Sequence, residues 1–206
     1  MSLGSRSNEK AYRHEYLGEV TGTGAEVFNN ITTRKITDDE IAQFDKVYHG
    51  LDFGFAHDPT AYVKIYWDAA RRRIFIFDEF ERVGLKNRDA VEMIKKRNPL
   101  NEPVIADSAS PGTIAEYRDL GLNIYGARKG QGSRDHGYKW LEDLREIIID
   151  PARCPDAWRE FSGYEFELDL NGNYKSGYPD GNDHTMDATR YALERLIQKG
   201  GFEPWK

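Results

Sequence analysis

Three apolar runs between Val47 and Phe80 are separated by links too short to hold a helix. The runs span Val47–Gly54, Ala61–Trp67 and Ile74–Phe80, and they are rich in Val, Ile, Tyr and Phe. Such residues favour strands. A parallel crossover needs about a dozen residues or more, so these links predict an antiparallel meander. This part of the chain is therefore expected to form three neighbouring antiparallel strands of one sheet rather than βαβ units.

The following part of the chain alternates between helical and strand patterns. Helices are predicted over Asn87–Arg97, Pro111–Leu120 and Arg134–Ile148, and strands over Val104–Asp107 and Leu122–Tyr125. Strands separated by single helices pair in parallel through right-handed crossovers. We therefore predict an α/β fold with a mixed sheet of about five main strands flanked by helices.

Two further segments bear on domain organisation. Residues 164–178 alternate around Asn171-Gly172-Asn173, which is typical of a β-hairpin extension. Residues 1–45 are polar and interrupted by a Thr-Gly repeat at residues 21–24, although residues 38–41 could form a short capped helical turn. We interpret residues 1–45 as a tag remnant and linker or N-terminal extension, 46–200 as the folded domain and 201–206 as a tail.

Composition narrows the classes of function. The 206 residues carry a formal net charge of −6, so any DNA contact must come from a local basic patch. The single cysteine excludes an internal disulfide and a cysteine zinc cage, and it fits a reducing compartment. No apolar stretch approaches the length that spans a membrane, and no G-x-x-x-x-G-K-[ST] phosphate loop occurs.

Aspartates end two of the predicted strands. Asp52 closes the first apolar run and Asp107 closes Val104–Asp107, with no Lys or Arg beside either in sequence. Sites in α/β sheets form beyond the carboxyl ends of strands, so the topology can bring the two carboxylates together. Oxygen ligands suit Mg²⁺ or Mn²⁺. Asp52 could instead only terminate its strand by accepting backbone N–H groups.

A third acidic cluster lies at the start of the last predicted helix. Asp187 could complement the helix dipole or pair with Arg190 or Tyr191. Asp183 is a candidate N-cap that could also support the site from outside. His184 lies on the same helix face as Asp187 and could bind a metal, orient a water or move a proton, or simply face solvent. Asp58, before Pro59, could fix a turn or lie at the cleft rim.

Basic residues for holding DNA are confined to two places. The segment from Arg128 to Arg134 is basic and glycine-rich and opens a helix, as in Arg128-Lys129-Gly130-Gln131-Gly132-Ser133-Arg134. Such a segment suits a phosphate, although an ordinary turn with solvated charges has the same composition. Lys175, on the predicted hairpin, could guide DNA, or the hairpin could cover a sheet edge. The DNA-binding candidates are Arg128, Lys129, Arg134 and Lys175.

Four short motifs occur in an order that resembles the nuclease domain of tailed-bacteriophage terminase large subunits. They are Gly50-Leu51-Asp52-Phe53-Gly54, Asp58-Pro59-Thr60-Ala61, Ala106-Asp107-Ser108-Ala109 and Asp183-His184-Thr185-Met186-Asp187-Ala188-Thr189-Arg190-Tyr191. The resemblance covers roughly Tyr12 to Leu196. It includes Glu15-Tyr16-Leu17-Gly18-Glu19, which is similar to the family's joint between packaging ATPase and nuclease.

The resemblance implies an RNase H-like (retroviral-integrase-like) fold and a metal-dependent endonuclease that cuts concatemeric viral double-stranded DNA. It maps three metal ligands onto Asp52, Asp107 and Asp187, with His184 beside them. Two Mg²⁺ or Mn²⁺ ions would then be bridged by Asp52. Crowded carboxylates repel one another, so raised aspartate pKa values are expected there. The implied partners are the packaging ATPase domain, the small terminase subunit and the portal, in the bacterial host cytoplasm and away from any membrane.

Three other classes of function stay open on the residues alone. One is a resolvase-like or transposase-like nuclease of the same fold, which would prefer branched DNA. Another is a non-catalytic module that docks on a portal. The last is an actin-like ATPase lobe, because Asp52-Phe53-Gly54 resembles a phosphate-binding turn.

Overall fold

A computed structural model describes residues 24–54, 57–181 and 183–199, with the side chain of residue 199 left out. These residues form a seven-stranded sheet in the order β1-β7-β4-β3-β2-β5-β6. The strands are β1 (Ile31–Thr33), β2 (Val47–Asp52), β3 (Pro59–Asp68), β4 (Arg73–Val83), β5 (Val104–Ala106), β6 (Ile124–Gly126) and β7 (Glu146–Ile149).

The pairing confirms the predicted mixed sheet. Strands β2, β3 and β4 form an antiparallel meander. Strands β5 and β6 extend it in parallel from β2, and β7 and β1 extend it in parallel from β4. The number of strands was underestimated, because β1 and β7 were not predicted. Strand β2 lies between β3 and β5 and is the fifth of the seven strands in this order.

Seven helices are present in the described residues. They are α1 (Asp38–Ile41), α2 (Asn87–Arg97), α3 (Pro111–Asp119), α4 (Ser133–Glu142), α5 (Pro155–Gly163), α6 (His184–Ala192) and α7 (Glu194–Lys199). The predicted helix over Arg134–Ile148 is wrong beyond Glu142, because the chain turns there and Ile147–Ile149 pair with β4 and β1. Within the described ranges, none of these helices is both long and apolar enough to cross a bilayer.

Helices cover both faces of the sheet. On one face α4, α5 and α6 pack around buried residues such as Tyr138, Phe161 and Met186. On the other face α2 and α3 pack around residues such as Leu51 and Tyr117. The helix carrying Asp187 therefore lies on the first of these faces.

Residues 24–45 belong to the packed unit, which corrects the linker interpretation for that stretch. Val27, Phe28 and Ile36 are buried, and β1 pairs with β7. The short helical turn predicted near residue 38 is confirmed as α1, with Thr37 accepting a hydrogen bond from the Glu40 N–H. The predicted linker and joint motif before residue 24, and the tail after residue 200, lie outside the described residues.

The predicted hairpin over residues 164–178 forms only in part. Leu168 and Tyr174 make an isolated antiparallel bridge, and Gly172 adopts a positive φ of 81° in the turn between them. The Asp169 carboxylate accepts hydrogen bonds from the N–H groups of Asn171 and Asn173. The predicted turn at residues 171–173 is therefore present, but the flanking residues 164–170 and 174–178 do not form a regular two-stranded ladder.

Candidate metal centre

Asp52 and Asp107 lie side by side at the carboxyl ends of two parallel strands. Leu51 of β2 is in register with Ala106 of β5, and the Asp107 N–H donates to the Leu51 carbonyl at 3.2 Å. Asp52 is the last residue of β2, and Asp107 directly follows β5. The structure thus places these two residues together, as the topology predicted.

Asp187 reaches the same edge because α6 lies unusually close to β2. A Cβ added at Gly50 would come within 1.8 Å of the Ala188 carbonyl oxygen. Only glycine permits this approach, since its backbone has no side chain to separate strand and helix. The helix packs against β2, β3 and β5. The residue before Ala188 therefore projects from the helix at the sheet end where Asp52 and Asp107 lie.

Asp52 is largely buried and contacts His184. The His184 Nδ1 lies 3.2 Å from Asp52 Oδ2. Burial raises the pKa of Asp52 to about 6; the charges of Asp187 and Asp107 add to the rise, and the bond to His184 opposes it. The raised pKa of Asp52 was expected, but from repulsion between carboxylates, and burial is the larger cause.

The bond between Asp52 and His184 also affects the imidazole. It raises the pKa of His184 to about 9, against the opposing effect of partial burial. At neutral pH the imidazole is therefore protonated and Asp52 is largely ionised. Only 22% of the His184 side chain is exposed. The histidine therefore lies within the site and does not simply face solvent.

Asp107 contacts the glycine-rich basic segment. Its Oδ1 accepts the Ala109 N–H at 2.8 Å and forms an ion pair with the Lys129 Nζ. The Lys129 ammonium also lies 5.0 Å from the centre of the Tyr191 ring. Asp107 has no Lys or Arg beside it in the sequence, but Lys129, 22 positions further along the chain, supplies the cationic partner.

Asp187 is held by three donors. Tyr138 donates its hydroxyl to Oδ1 at 2.7 Å, while Arg190 and Tyr191 contact Oδ2 at 2.9 and 3.3 Å. Burial, together with the nearby Asp187 and Asp183, raises the pKa of Tyr138 far above its ordinary value, so the phenol remains a donor. The pairing of Asp187 with Arg190 and Tyr191, considered from their spacing, is present.

The outer candidates have mixed placements. Asp183 stands at the N-cap position of α6 without a side-chain capping bond. Its carboxylate instead accepts from Arg134 at 2.6 Å and lies 3.0 Å from the Tyr138 hydroxyl oxygen. It touches Tyr138, which also binds Asp187, so it lies one residue outside the three aspartates. Asp58 is exposed in the turn before β3.

The DNA-binding candidates are unequally placed. Arg128 and Lys129 line a cavity of about 260 Å³ beside the site. Arg134 is turned inward, where it donates to the carbonyls of Tyr178 and Pro179 and pairs with Asp183. Lys175 pairs with Glu167 at 2.7 Å on the partial hairpin. Arg134 and Lys175 are therefore already engaged within the chain.

Besides Tyr138, one further contributor to the site was not predicted from the sequence. Glu160 of α5 is buried, and its Oε2 accepts the Thr185 N–H, the Thr185 hydroxyl and the Met186 N–H at 2.8, 2.6 and 3.2 Å. This carboxyl satisfies the free N–H groups at the start of α6 from a different helix. No pattern in the sequence predicts this contact. The α5 helix was not predicted, and a capping box joins residues three positions apart at the start of one helix, whereas Glu160 belongs to a different helix.

The three aspartates offer the donor chemistry of a divalent metal site. Each contributes carboxylate oxygens, the ligands that Mg²⁺ and Mn²⁺ prefer. The charges of Asp107 and Asp187 both raise the pKa of Asp52. Across residues 24–54, 57–181 and 183–199, no three acidic, His or Cys side chains already converge as a metal cage. Asp107 is paired with Lys129 and Asp187 with Arg190 instead. Metal binding at Asp107 therefore requires the Lys129 ammonium to move away.

Comparison with known proteins identifies the family. The model of the family described as "Terminase RNAseH like domain" matches residues 52–195. The chain belongs to this family. Its matched region runs from the first of the three aspartates to beyond the last, and the observed mixed sheet with flanking helices is the RNase H-like fold.

Individual relatives agree with this terminase assignment. The chain is 42% identical over 206 residues to the terminase large subunit of Bacillus phage SPP1, covering 97% of this chain and 48% of that protein. It is 28% identical over 145 residues to the PBSX phage terminase large subunit of Bacillus subtilis strain 168, covering 70% and 33%. The chain thus spans half or less of the length of the curated relatives that it matches.

Solved structures are similar as well. The crystal structure of the SPP1 large terminase nuclease domain with bound Mn has a TM-score of 0.78 and 38% identity, covering 82% of this chain and 98% of that chain. The P22 large terminase nuclease domain has a TM-score of 0.62 and 21% identity, covering 82% and 92%, which supports the fold alone.

Proposed function

We propose that this chain is the nuclease domain of a phage DNA-packaging terminase large subunit. Its substrate would be concatemeric viral double-stranded DNA, and its reaction would be hydrolysis of a phosphodiester bond. The observation that carries the proposal is that Asp52 and Asp107 lie at the ends of paired strands, with Asp187 on α6 near enough to raise the pKa of Asp52. The similarity to a terminase nuclease domain solved with bound Mn supports it.

The three aspartates would hold Mg²⁺ or Mn²⁺, and two ions suit this number of carboxylates. When bound, such ions lower the pKa of a water and neutralise charge on the leaving oxygen. The chain's own residues set the geometry around them. Tyr138 orients Asp187, and the Ala109 N–H orients Asp107.

His184 would keep Asp52 ready to bind a cation. Its protonated Nδ1 faces Asp52 Oδ2, and this contact opposes the rise in the pKa of Asp52 that burial causes. A carboxylate that stays ionised near neutral pH is the form that a metal needs. The imidazolium of His184 also carries a proton that it can give up more readily than a lysine or an arginine can, so we assign it proton transfer near the reacting phosphate.

DNA would be held by the basic segment next to the site. Arg128 and Lys129 lie between β6 and α4, beside Asp107, where cationic side chains can contact phosphates. Arg134 and Lys175 would support the fold around the cleft rather than contact phosphates. In the whole protein, the packaging ATPase domain, the small terminase subunit and the portal would be partners in the host cytoplasm.

Single substitutions of the aspartates test this function. Asp52→Asn, Asp107→Asn and Asp187→Asn each keep the side-chain shape and remove the charge that a divalent ion requires. Loss of a group that only supports a ligand typically costs 10–100-fold, so each variant should lose at least about 100-fold of Mn²⁺-dependent plasmid nicking.

The matched control is Asp119→Asn, an exposed aspartate at the far end of α3 from Asp107. It should nick plasmid at the wild-type rate. Wild-type nicking in all three site variants would rule out the assignment of the metal ligands.

A further inference from the structure

Two of the three aspartates contact cationic side chains that differ in how firmly they are held. Arg190 is nearly buried, with 7% of its side chain exposed, and it contacts Asp187 through two nitrogens at 2.9 and 3.3 Å. Its stem crosses α4 at Gly137, where a Cβ would lie 2.2 Å from the Arg190 Cδ. Arg190 is therefore wedged in place and moves only if two helices move.

Lys129 is held far more loosely. One third of its side chain is exposed, and it lies in the connection between β6 and α4, outside any helix or strand. Gly130 follows it, and Gly132 adopts a positive φ of 71° before α4 begins. A lysine stem has four rotatable carbons and a compact charge. The ammonium can therefore leave Asp107 by changes of rotamer, without disturbing the sheet.

Lys129 occupies the same carboxylate that the proposed metal needs. Its Nζ contacts Asp107 Oδ1, which is also the oxygen that accepts the Ala109 N–H. A carboxylate that neutralises an ammonium attracts a divalent cation less strongly, because the two positive charges repel each other across it. Binding of a divalent cation at Asp107 and retention of the Lys129 ion pair therefore oppose each other.

We propose that Lys129 is an exchangeable counter-ion that makes metal binding and DNA binding depend on each other. Without DNA, its ammonium stays on Asp107 and weakens the affinity of the site for the cation. When a DNA phosphate lies beside the site, the ammonium transfers to that phosphate and frees Asp107 for the metal. This inference rests on the proposed nuclease function and adds to it a mechanism that favours loading of the metal when substrate is present.

The transfer gives a reciprocal coupling between the two ligands. If DNA strengthens metal binding by some factor, the metal must strengthen DNA binding by the same factor. Lys129 is the only element of the described site that this coupling requires to move, because Arg190 stays with Asp187. Removing the ammonium should therefore remove the coupling while leaving the three carboxylates in place.

The test is a Mn²⁺ titration followed by electron paramagnetic resonance, with and without a phosphorothioate duplex that resists cleavage. In the wild-type chain, the duplex should lower the Kd for Mn²⁺ by about tenfold, within the usual range for coupled sites. In Lys129→Met, the Kd without DNA should fall several-fold and the duplex should change it less than twofold. Lys129→Arg should restore much of the coupling.

Lys139→Met is the matched control. Lys139 pairs with Asp143 and Glu142 on the exposed side of α4, so its loss changes net charge equally without touching Asp107. It should leave both Kd values unchanged. Thermal unfolding should give similar Tm values for all the variants.

The outcomes separate this inference from the function on which it rests. If wild type binds Mn²⁺ and Asp107→Asn does not, but Lys129→Met behaves as wild type, the exchange is overturned and the nuclease assignment stands. If Lys139→Met shifts the Kd as much as Lys129→Met, the effect is one of net charge and the exchange is again overturned. If wild type binds no Mn²⁺, both proposals fall.

Discussion

Each of the three site aspartates contacts a different cationic side chain. Asp52 contacts His184, Asp107 contacts Lys129, and Asp187 contacts Arg190. A buried or half-buried carboxylate needs such a partner or its ionised form is disfavoured. In the sequence, no Lys or Arg is adjacent to Asp52 or Asp107, which favours a metal ion as their partner. The structure adds that the chain itself supplies the partners, from residues distant in sequence.

Tyr138 is the residue that joins the two acidic positions of α6. Its buried hydroxyl lies 2.7 Å from Asp187 and 3.0 Å from Asp183. Hydrogen bonds to charged groups contribute about 1.5–3 kcal/mol each. Tyr138→Phe should therefore lower the free energy of unfolding in urea by about 2 kcal/mol and reduce Mn²⁺-dependent nicking, because Asp187 loses a donor that fixes its orientation.

Tyr125→Phe is the control for that experiment. The Tyr125 side chain is 47% exposed on β6, so it should unfold and cleave as wild type does. An unchanged free energy of unfolding in Tyr138→Phe would contradict the assigned role of its hydroxyl.

At the scale of elements, the site depends on how closely α6 approaches β2. Gly50→Ala would place a Cβ 1.8 Å from the Ala188 carbonyl, so the helix must shift away from the strand. Overpacking of this kind costs 1–3 kcal/mol and occasionally more. We expect a loss of about 3 kcal/mol in the free energy of unfolding and a steep loss of nicking, as Asp187 moves away from Asp52.

Gly112→Ala provides the comparison. Gly112 is in the first turn of α3, and a Cβ there would meet no atom within 4 Å. This change should leave activity intact and alter stability by less than about 1 kcal/mol, towards higher stability. Normal cleavage by Gly50→Ala would show that the close packing of α6 on β2 is not what positions Asp187.

Elements with clear local signals were predictable, and those defined by distant contacts were not. The β2–β4 meander and α2 follow from apolar periodicity and turn residues, and α2 has the predicted bounds. The α4–β7 boundary was missed because Leu141, Leu144 and Ile148 keep helical spacing across it. Only pairing with β1 and β4 makes Glu146–Ile149 a strand.

The candidate site divides in the same way. Asp52 and Asp107 could be placed together from strand order alone, because parallel strands end at the same edge. Asp187 needed a family resemblance, since its spacing from Arg190 and Tyr191 also fits a purely local ion pair. Lys129, Tyr138 and Glu160 reach the site through tertiary contacts that no short pattern in the sequence encodes.

At the scale of the whole molecule, buried acids make stability depend on pH. Burial raises the pKa of Glu79 to about 7 and, together with a bond to Glu81, that of Glu160 to about 9, both from an ordinary value of 4.5. The folded state therefore binds more protons than the unfolded state between pH 4.5 and 9. Stability from these groups is full below pH 4.5 and is lost as pH rises through 7 and then 9.

We expect the free energy of unfolding in urea to fall by at least about 2 kcal/mol between pH 5.5 and 8.5. Glu160→Gln resembles the protonated acid and keeps an oxygen for the Thr185 N–H, so it should flatten the upper part of this profile. Glu167→Gln, an exposed acid paired with Lys175, should leave the profile unchanged. Stability that rises with pH over this range would refute the assigned protonation of the two glutamates.

The close seat of α6 on β2 also has a consequence during synthesis. The ribosome makes the strands bearing Asp52 and Asp107 before the helix that brings Asp187 across them. Asp187 follows Asp107 by 80 positions, which at 5–20 residues per second is a delay of about 4–16 s. During that interval the nascent chain contains Asp52 and Asp107 but not yet Asp187. The order of the elements alone keeps the growing polypeptide from presenting a complete set of metal ligands until α6 has emerged.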